Sequence, residues 1–580
     1  ALGTAVVAAG ALAWWGLRPR PPAAAPHLEF RQLTFNGNVV DAVISPDGKF
    51  LAYVAIGALG TALHLLSISS GSDVEIMPPA AGCCQSPSFS PDGGMVYFLE
   101  AGDLKAIPVL GGAVRTIAAR ACSGAGFSPD GSQIAYVSNP NNLTLARADG
   151  SQAHMLTQAA AGSGYLGQCW ISSANHPSHA PAWSPDGGWI ALAEFPVSGE
   201  GHITLVNAAN GKTSTLGPGM AVDTADLAWQ ADGRSLVFSA SIPDDAPPQI
   251  WRISYPGGNT TQLTNDLQGY IATSLSATGQ VVVVHSAPQM SVWVEDRPGG
   301  EFHQLPGGGA SMDGGGGLAW TPQGGLVTLR HFGGKTQLWA ENADGSDARA
   351  LPTGTLPAGA YQPTVAPDGS IVFGSNGNEA NIWRVNADGT GLAPLLQLPS
   401  GADAFTPSLV RGGREVCYMF VDAKGNQTVG TVPLAGGAPQ QAWVTPVLAG
   451  SCQAASPDGS RAVAIIRSAN KGRQAVIVRL DGGQPQATPL PALDVSPGTG
   501  PLRWTPDGRA LTYRLHRGTT DNIWALPLAG GAPYPLTHFT DLNISAYAFA
   551  KDGRLAVSRG SRNSDAVLAT GLTGKGGDGH

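Results

Sequence analysis

The chain has 580 residues, 43% of them hydrophobic and only 13% charged, with 79 Gly, 45 Pro and a formal net charge of -8. Abundant turn formers, few charges and no long amphipathic helical stretch favour many short strands joined by tight turns, an all-β fold. No Lys/Arg run is longer than an isolated pair, which excludes the electrostatic footprint of a nucleic-acid-binding portion.

The first element is the uncharged run "ALGTAVVAAGALAWWGL" from Ala1 to Leu17, which predicts a transmembrane helix at the lower limit of spanning length. Trp14 and Trp15 suit a membrane interface, and a chain that begins with Ala1 rather than Met leads us to expect sequence upstream. The alternative is a signal-peptide core cleaved near Ala23 to Ala25, against which Arg18 and Arg20 stand between core and site. Residues 18–28 read as a Pro-rich linker.

From Glu29 onward the chain repeats itself. "SPDG" begins at Ser45, Ser90, Ser128, Ser184 and Ser456, with "APDG" at Ala366 and "TPDG" at Thr505. Decayed forms begin at Gln230, Ser276, Thr321, Val410 and Ala550, giving twelve units spaced by 38 to 56 residues. Pro presets the second turn position, Asp bonds back to the backbone and Gly accepts a positive φ, so the tetrad closes a hairpin. Copies in which Asp becomes Thr278 or Gln323 fit a turn and not a catalytic set.

Within each unit an aromatic or aliphatic residue precedes the tetrad: Phe89, Phe127, Trp183, Trp229, Trp320, Trp504 and Phe549 are the aromatic cases. An alternating strand follows, then a strand such as "QIWRIS", a Gly-rich turn and a last strand ending in "QLT". Four strands per unit predict a propeller blade, with the Trp residues packing between sheets. Twelve blades exceed one ring, so we expect two six-bladed β-propellers over residues 29–300 and 301–573, followed by a disordered tail at 574–580. "EFRQLTF" at Glu29 would complete the blade holding "QVVVVHS" and "SVWVED", and "EFHQLPG" at Glu301 would complete the last one. A seven-plus-five division stays open.

"SPDG", "NIWRVNADGT", "NIWALPLAGG" and "QLT" resemble the TolB-type, WD-like propeller repeat from about Phe30 to Leu572. The resemblance implies a binding platform, an envelope assembly factor or the gate of a larger enzyme. With the apolar start and the Pro-rich spacer, the chain also resembles the extracytoplasmic part of bacterial membrane-anchored Ser/Thr kinases or winged-helix regulators. That implies a sensor of an envelope protein, peptide or glycan, with the propellers in the periplasm or outside the cell. A TolB-like scaffold and a propeller hydrolase with channel-lining carboxylates are the alternatives.

No "GxSxG" elbow, kinase "HRD" or "DFG", or phosphate-binding "GxxxxGK[ST]" occurs, so no catalytic residue is assigned and no cofactor is implied. The third unit is stretched by "AAAGSGYLGQCWISSANHPSHAPAW" from Ala159 to Trp183, read as a loop between an outer strand and the next inner one. Its Trp170, His176 and His179 are the candidate ligand-binding residues. "HPSH" lacks the further ligands a metal site needs, and no metal is expected. Cys84 and Cys122 each stand six residues before a tetrad serine, so a disulfide between them, or from Cys122 to Cys169, is one reading. Free buried thiols are the other.

Overall fold

The computed structural model describes residues 28–571 apart from short internal stretches, among them 166–179, 219–225, 442–449 and 490–501. The described chain is all-β: nine four-stranded antiparallel sheets, one of five strands and one of six. Among the described residues no helix is long and apolar enough to cross a membrane, and the apolar run at 1–17 lies outside them. The expected tail at 574–580 also lies outside them.

The repeated turn explains the repeated sheet. At the first copy the Ser45 hydroxyl donates to Asp47 Oδ1 at 2.7 Å and accepts the Phe50 amide at 2.9 Å. The Asp47 carboxylate takes the Lys49 amide at 3.1 Å, and Gly48 closes the turn on the Ser45 carbonyl with φ +73°. The same bonds recur at Ser128, Ser456 and Thr505. They hold these exposed carboxylates below the ordinary range: the Ser456 hydroxyl, then the Ser460 amide, bring Asp458 down to about 2. Where Asp is replaced by Thr278, Ser276 still accepts the Gln280 amide at 3.0 Å, so the hairpin survives loss of the acid.

"QLT" is the second anchor. The hydroxyls of Thr34, Thr264 and, in the variant "PLT", Thr537 accept the amides of Ala566, Ile250 and Ile523, each at 2.9 Å. The residue before each of those amides turns back on the same loop, as Asn522 Oδ1 does in accepting Phe539 N–H at 2.7 Å. The third and fourth strands are thereby fixed in register by side chains as well as by the ladder.

We number the sheets in chain order: sheets 1 to 5 begin at Val39, Gln85, Gly126, Ser163 and Ala228, and sheets 6 to 10 at Leu318, Tyr361, Asp403, Gly450 and Arg503. The six-stranded sheet joins the two groups. In it Val281–Glu295 and Leu555–Thr570 run antiparallel, paired from Val281↔Ala569 to Val294↔Ala556. Gly269–Leu275 and Glu29–Gln32 flank one end; Asn543–Phe549 and Phe302–Gln304 flank the other.

Each end is a four-stranded unit, but its third strand comes from the other group. This corrects the expected pairing: the strand at Glu29 lies against Val567 to Thr570, and not against "SVWVED". The physical reason is that "HSAPQMSV" offers no hairpin turn, so the strand continues straight where every other unit folds back. Gly560 lies where the two long strands meet, and a Cβ there would stand 1.8 Å from the Gln289 carbonyl.

Apolar clusters join successive sheets, as burial of both faces requires. Val54 and Leu63 of sheet 1 meet Val96 and Phe98 of sheet 2, and such clusters continue through sheets 3, 4 and 5. From there they reach Val281 and Val283 of the six-stranded sheet and return to sheet 1 through Val39, Ala42 and Ile44. A second cycle runs from Val292 and Val294 through sheets 6 to 10 and back to Val557.

The Trp residues before the tetrads set the registration of these contacts. The Nε1 atoms of Trp229 and Trp504 donate to the Ala182 and Ala454 carbonyls of the preceding sheet at 3.1 and 3.2 Å. In each case the acceptor stands two residues before the tetrad of its own sheet.

Candidate functional site

Four residues before the tetrads of the first cycle stand Asp41, Ser86, Gly124, Ala180, Asp226 and Ala272. Inner strands bulge here: the pairing of Val39–Ile44, Gln85–Phe89 and Gly269–Leu275 shifts register, and Ser86 and Ala272 have φ of 51° and 54°. A bulge leaves backbone groups outside the ladder and re-aims side chains. The Asp41 carboxyl accepts the Ser86 amide, and Asp226 Oδ2 accepts the Thr273 amide at 3.2 Å. Each acid thus clips its sheet to the inner strand of the next.

The same positions approach one another. A Cβ on Gly124 would lie 3.1 Å from the Ser86 Cβ and 3.4 Å from the Ala180 Cβ. Asp41 is 6% exposed, and burial, then the charge of Asp226, raise its carboxyl well above the ordinary range. A carboxyl held toward its protonated form can donate a hydrogen bond as well as accept one. Ser86 is 3% exposed and its buried hydroxyl has no hydrogen-bond partner in the described structure. An unsatisfied hydroxyl in such surroundings is a place for a ligand group.

Sequence reasoning missed Asp41 and Asp226, although the tetrad spacing that measures out the sheets also marks their position. The candidates it chose, Trp170, His176 and His179, lie outside the described residues, as does Cys169. Where their segment is attached is described, and corrects the expectation. Ser163–Tyr165 pairs with Glu194 to Pro196, and Ala182–Trp183 pairs with Ile190 and Ala191 of the same strand. The inner edge of sheet 4 is thus supplied by Ser163–Tyr165 as well as Ala182–Trp183, and Ala180 lies beside Gly124.

Cys84 is bonded to its neighbour Cys83 and so not to Cys122. The two cysteines are adjacent in the chain and both buried, with Cα atoms 3.7 Å apart. Cys122 is disulfide-bonded as well. Cys417 and Cys452 are buried thiols.

The second cycle has a different centre. Its corresponding positions include Gly317, Gln362, Thr406, Cys452 and Ala546, none of them acidic. Its buried charges lie elsewhere. Arg330 is enclosed between Asp313 at 2.8 Å and Glu341 at 2.6 Å, over the Trp339 ring at 4.7 Å. Asp403, 5% exposed and opposed mainly by the Ala380 amide, is pushed up to about 7 by burial. Among the described residues no group of three or more His, Cys, Asp or Glu is placed to hold a metal ion.

Residues 127–353 match the family model described as the TolB beta propeller domain. No curated protein matches the chain. Similar solved structures include a candidate TolB from Agrobacterium tumefaciens, at 17% identity over 50% of this chain and 87% of that one, with a TM-score of 0.32. A GH74 enzyme from Niastella koreensis is 12% identical over 92% and 91% of the two chains, with a TM-score of 0.35. A chain of a nidogen/laminin complex is 12% identical over 40% and 88%, with a TM-score of 0.31. Residues 127–353 thus carry TolB-type PD40 β-propeller repeats.

Proposed function

We propose that the chain is a pair of six-bladed β-propellers, one over each cycle of sheets, that act as a non-catalytic binding region outside the cytoplasm. In this reading the apolar run at 1–17 anchors it to the bacterial inner membrane, and the propellers are the sensory part of a regulatory protein. The partner is an envelope protein, peptide or glycan, seated at the centre of the first cycle.

The observation that carries the reading is the buried Asp41 beside Asp226 and the Ser86 amide, with the Ser86 hydroxyl unpartnered. Disulfides at Cys83, Cys84 and Cys122 support an oxidising compartment, because cytosolic chains seldom keep them. Screening the chain for thermal shifts against envelope proteins, peptides and glycans tests it: stabilisation by one class is expected, and indifference to all contradicts sensing. A TolB-like scaffold would use the same surface and differ in being occupied constitutively.

The carboxyl pair also favours a second reading, a hydrolase in which Asp41 is the acid and Asp226 the base. Turnover of a glycan or peptide that is lost in both Asp41→Asn and Asp226→Asn would establish it in place of the first.

A further inference from the structure

We propose that Cys417 and Cys452 are a modification site: they become a disulfide that ties sheet 8 to sheet 9. The two lie in different repeats, Cys417 in Glu415–Val421 and Cys452 in Gly450–Ala455. They are 0% and 1% exposed and share one apolar cluster with Val410, Val429 and Ala462. The strands that carry them pack directly together. Packing alone does not ask for two thiols in one cluster between separate sheets, since Ala or Val would fill it.

The inference rests on the extracytoplasmic reading, because the reaction needs an oxidant. One thiolate attacks the disulfide of a protein disulfide oxidant, forming a mixed disulfide and releasing one sulfur of the oxidant as thiolate. The second thiolate then attacks the mixed disulfide at the cysteine sulfur, closing Cys417–Cys452 and releasing the oxidant as a dithiol. Two electrons and the two cysteine protons end on the oxidant. Burial raises the Cys417 thiol well above its ordinary range, so little thiolate exists once the sheets have closed. The bond is therefore laid down while the chain folds, and afterwards it is a structural tie and not a reversible sensor.

The full chain exported to a bacterial periplasm tests this. Free thiols are blocked with N-ethylmaleimide in denaturant, and digested peptides are mapped without reduction. The expected product is a linked Cys417–Cys452 peptide together with intact Cys83–Cys84. In addition, Cys417→Ser and Cys452→Ser should each lower the unfolding midpoint as much as the double variant does, by roughly 5 °C. Blocked Cys417 and Cys452 beside an intact Cys83–Cys84 overturns this proposal alone. Blocking of all of them overturns it together with the extracytoplasmic reading.

Discussion

The indole Nε1 of Trp320 donates to the carbonyl of Ala548 at 3.0 Å, across 228 positions of the chain. It repeats between sheet 6 and the six-stranded sheet the bond that Trp504 makes to Ala454, so the second cycle closes with the contact that holds its successive members together. Closure is built from the repeat itself. Trp320→Phe keeps an aromatic ring and loses this part-buried bond. A loss of about 1–2 kcal/mol in denaturant unfolding is expected, and the same from Trp504→Phe.

The exchanged strands make a second, sharper demand. A methyl group on Gly560 would collide with the Gln289 carbonyl, which is backbone within a paired strand and cannot turn aside. Gly560→Ala should cost at least about 2 kcal/mol. Gly93→Ala, at a turn with φ of 70° but nothing within 4 Å, should cost less because only the backbone conformation opposes it. Equilibrium unfolding of the two variants compares them directly.

The tetrad acids should behave as turn formers. Asp458 is lowered to about 2 by bonds that the unfolded chain lacks, so its stabilisation is present above about pH 4 and lost as pH falls toward 2. Asp458→Ala should lower the unfolding midpoint at pH 7, show little difference near pH 2 and leave ligand responses unchanged.

Asp403 has the opposite sign. Its carboxyl is raised to about 7 by burial, so its relative stabilisation is full below about pH 4 and is lost as pH rises toward 7. Asp403→Asn should therefore raise the midpoint at pH 8, change it little at pH 4 and flatten the profile between them. Thermal unfolding across that range checks the sign.

How much of this was legible in the sequence depends on distance along the chain. The turn of Ser45 to Gly48, the Trp residues before the tetrads and the "QLT" threonine Thr264 act within a unit or on its neighbour, so their periodicity exposes them. The exchange of Val281–Glu295 with Leu555–Thr570 has no periodic trace, because it depends on a turn that is missing and on a partner from the far end of the chain. The centre of the first cycle was legible in spacing but not in kind. Asp41 and Asp226 occupy a repeated place that holds Ser86, Gly124 and Ala180 in the sheets between, and an acid at two of six positions forms no motif.

The central claim is that this centre binds a ligand, and the most direct measurement is affinity for the compound that gives the largest thermal shift with the wild-type chain. Titration by calorimetry should show binding weakened at least about tenfold in Asp226→Asn and in Ser86→Ala, with unfolding midpoints close to wild type. Equal affinity in wild type and both variants would contradict it.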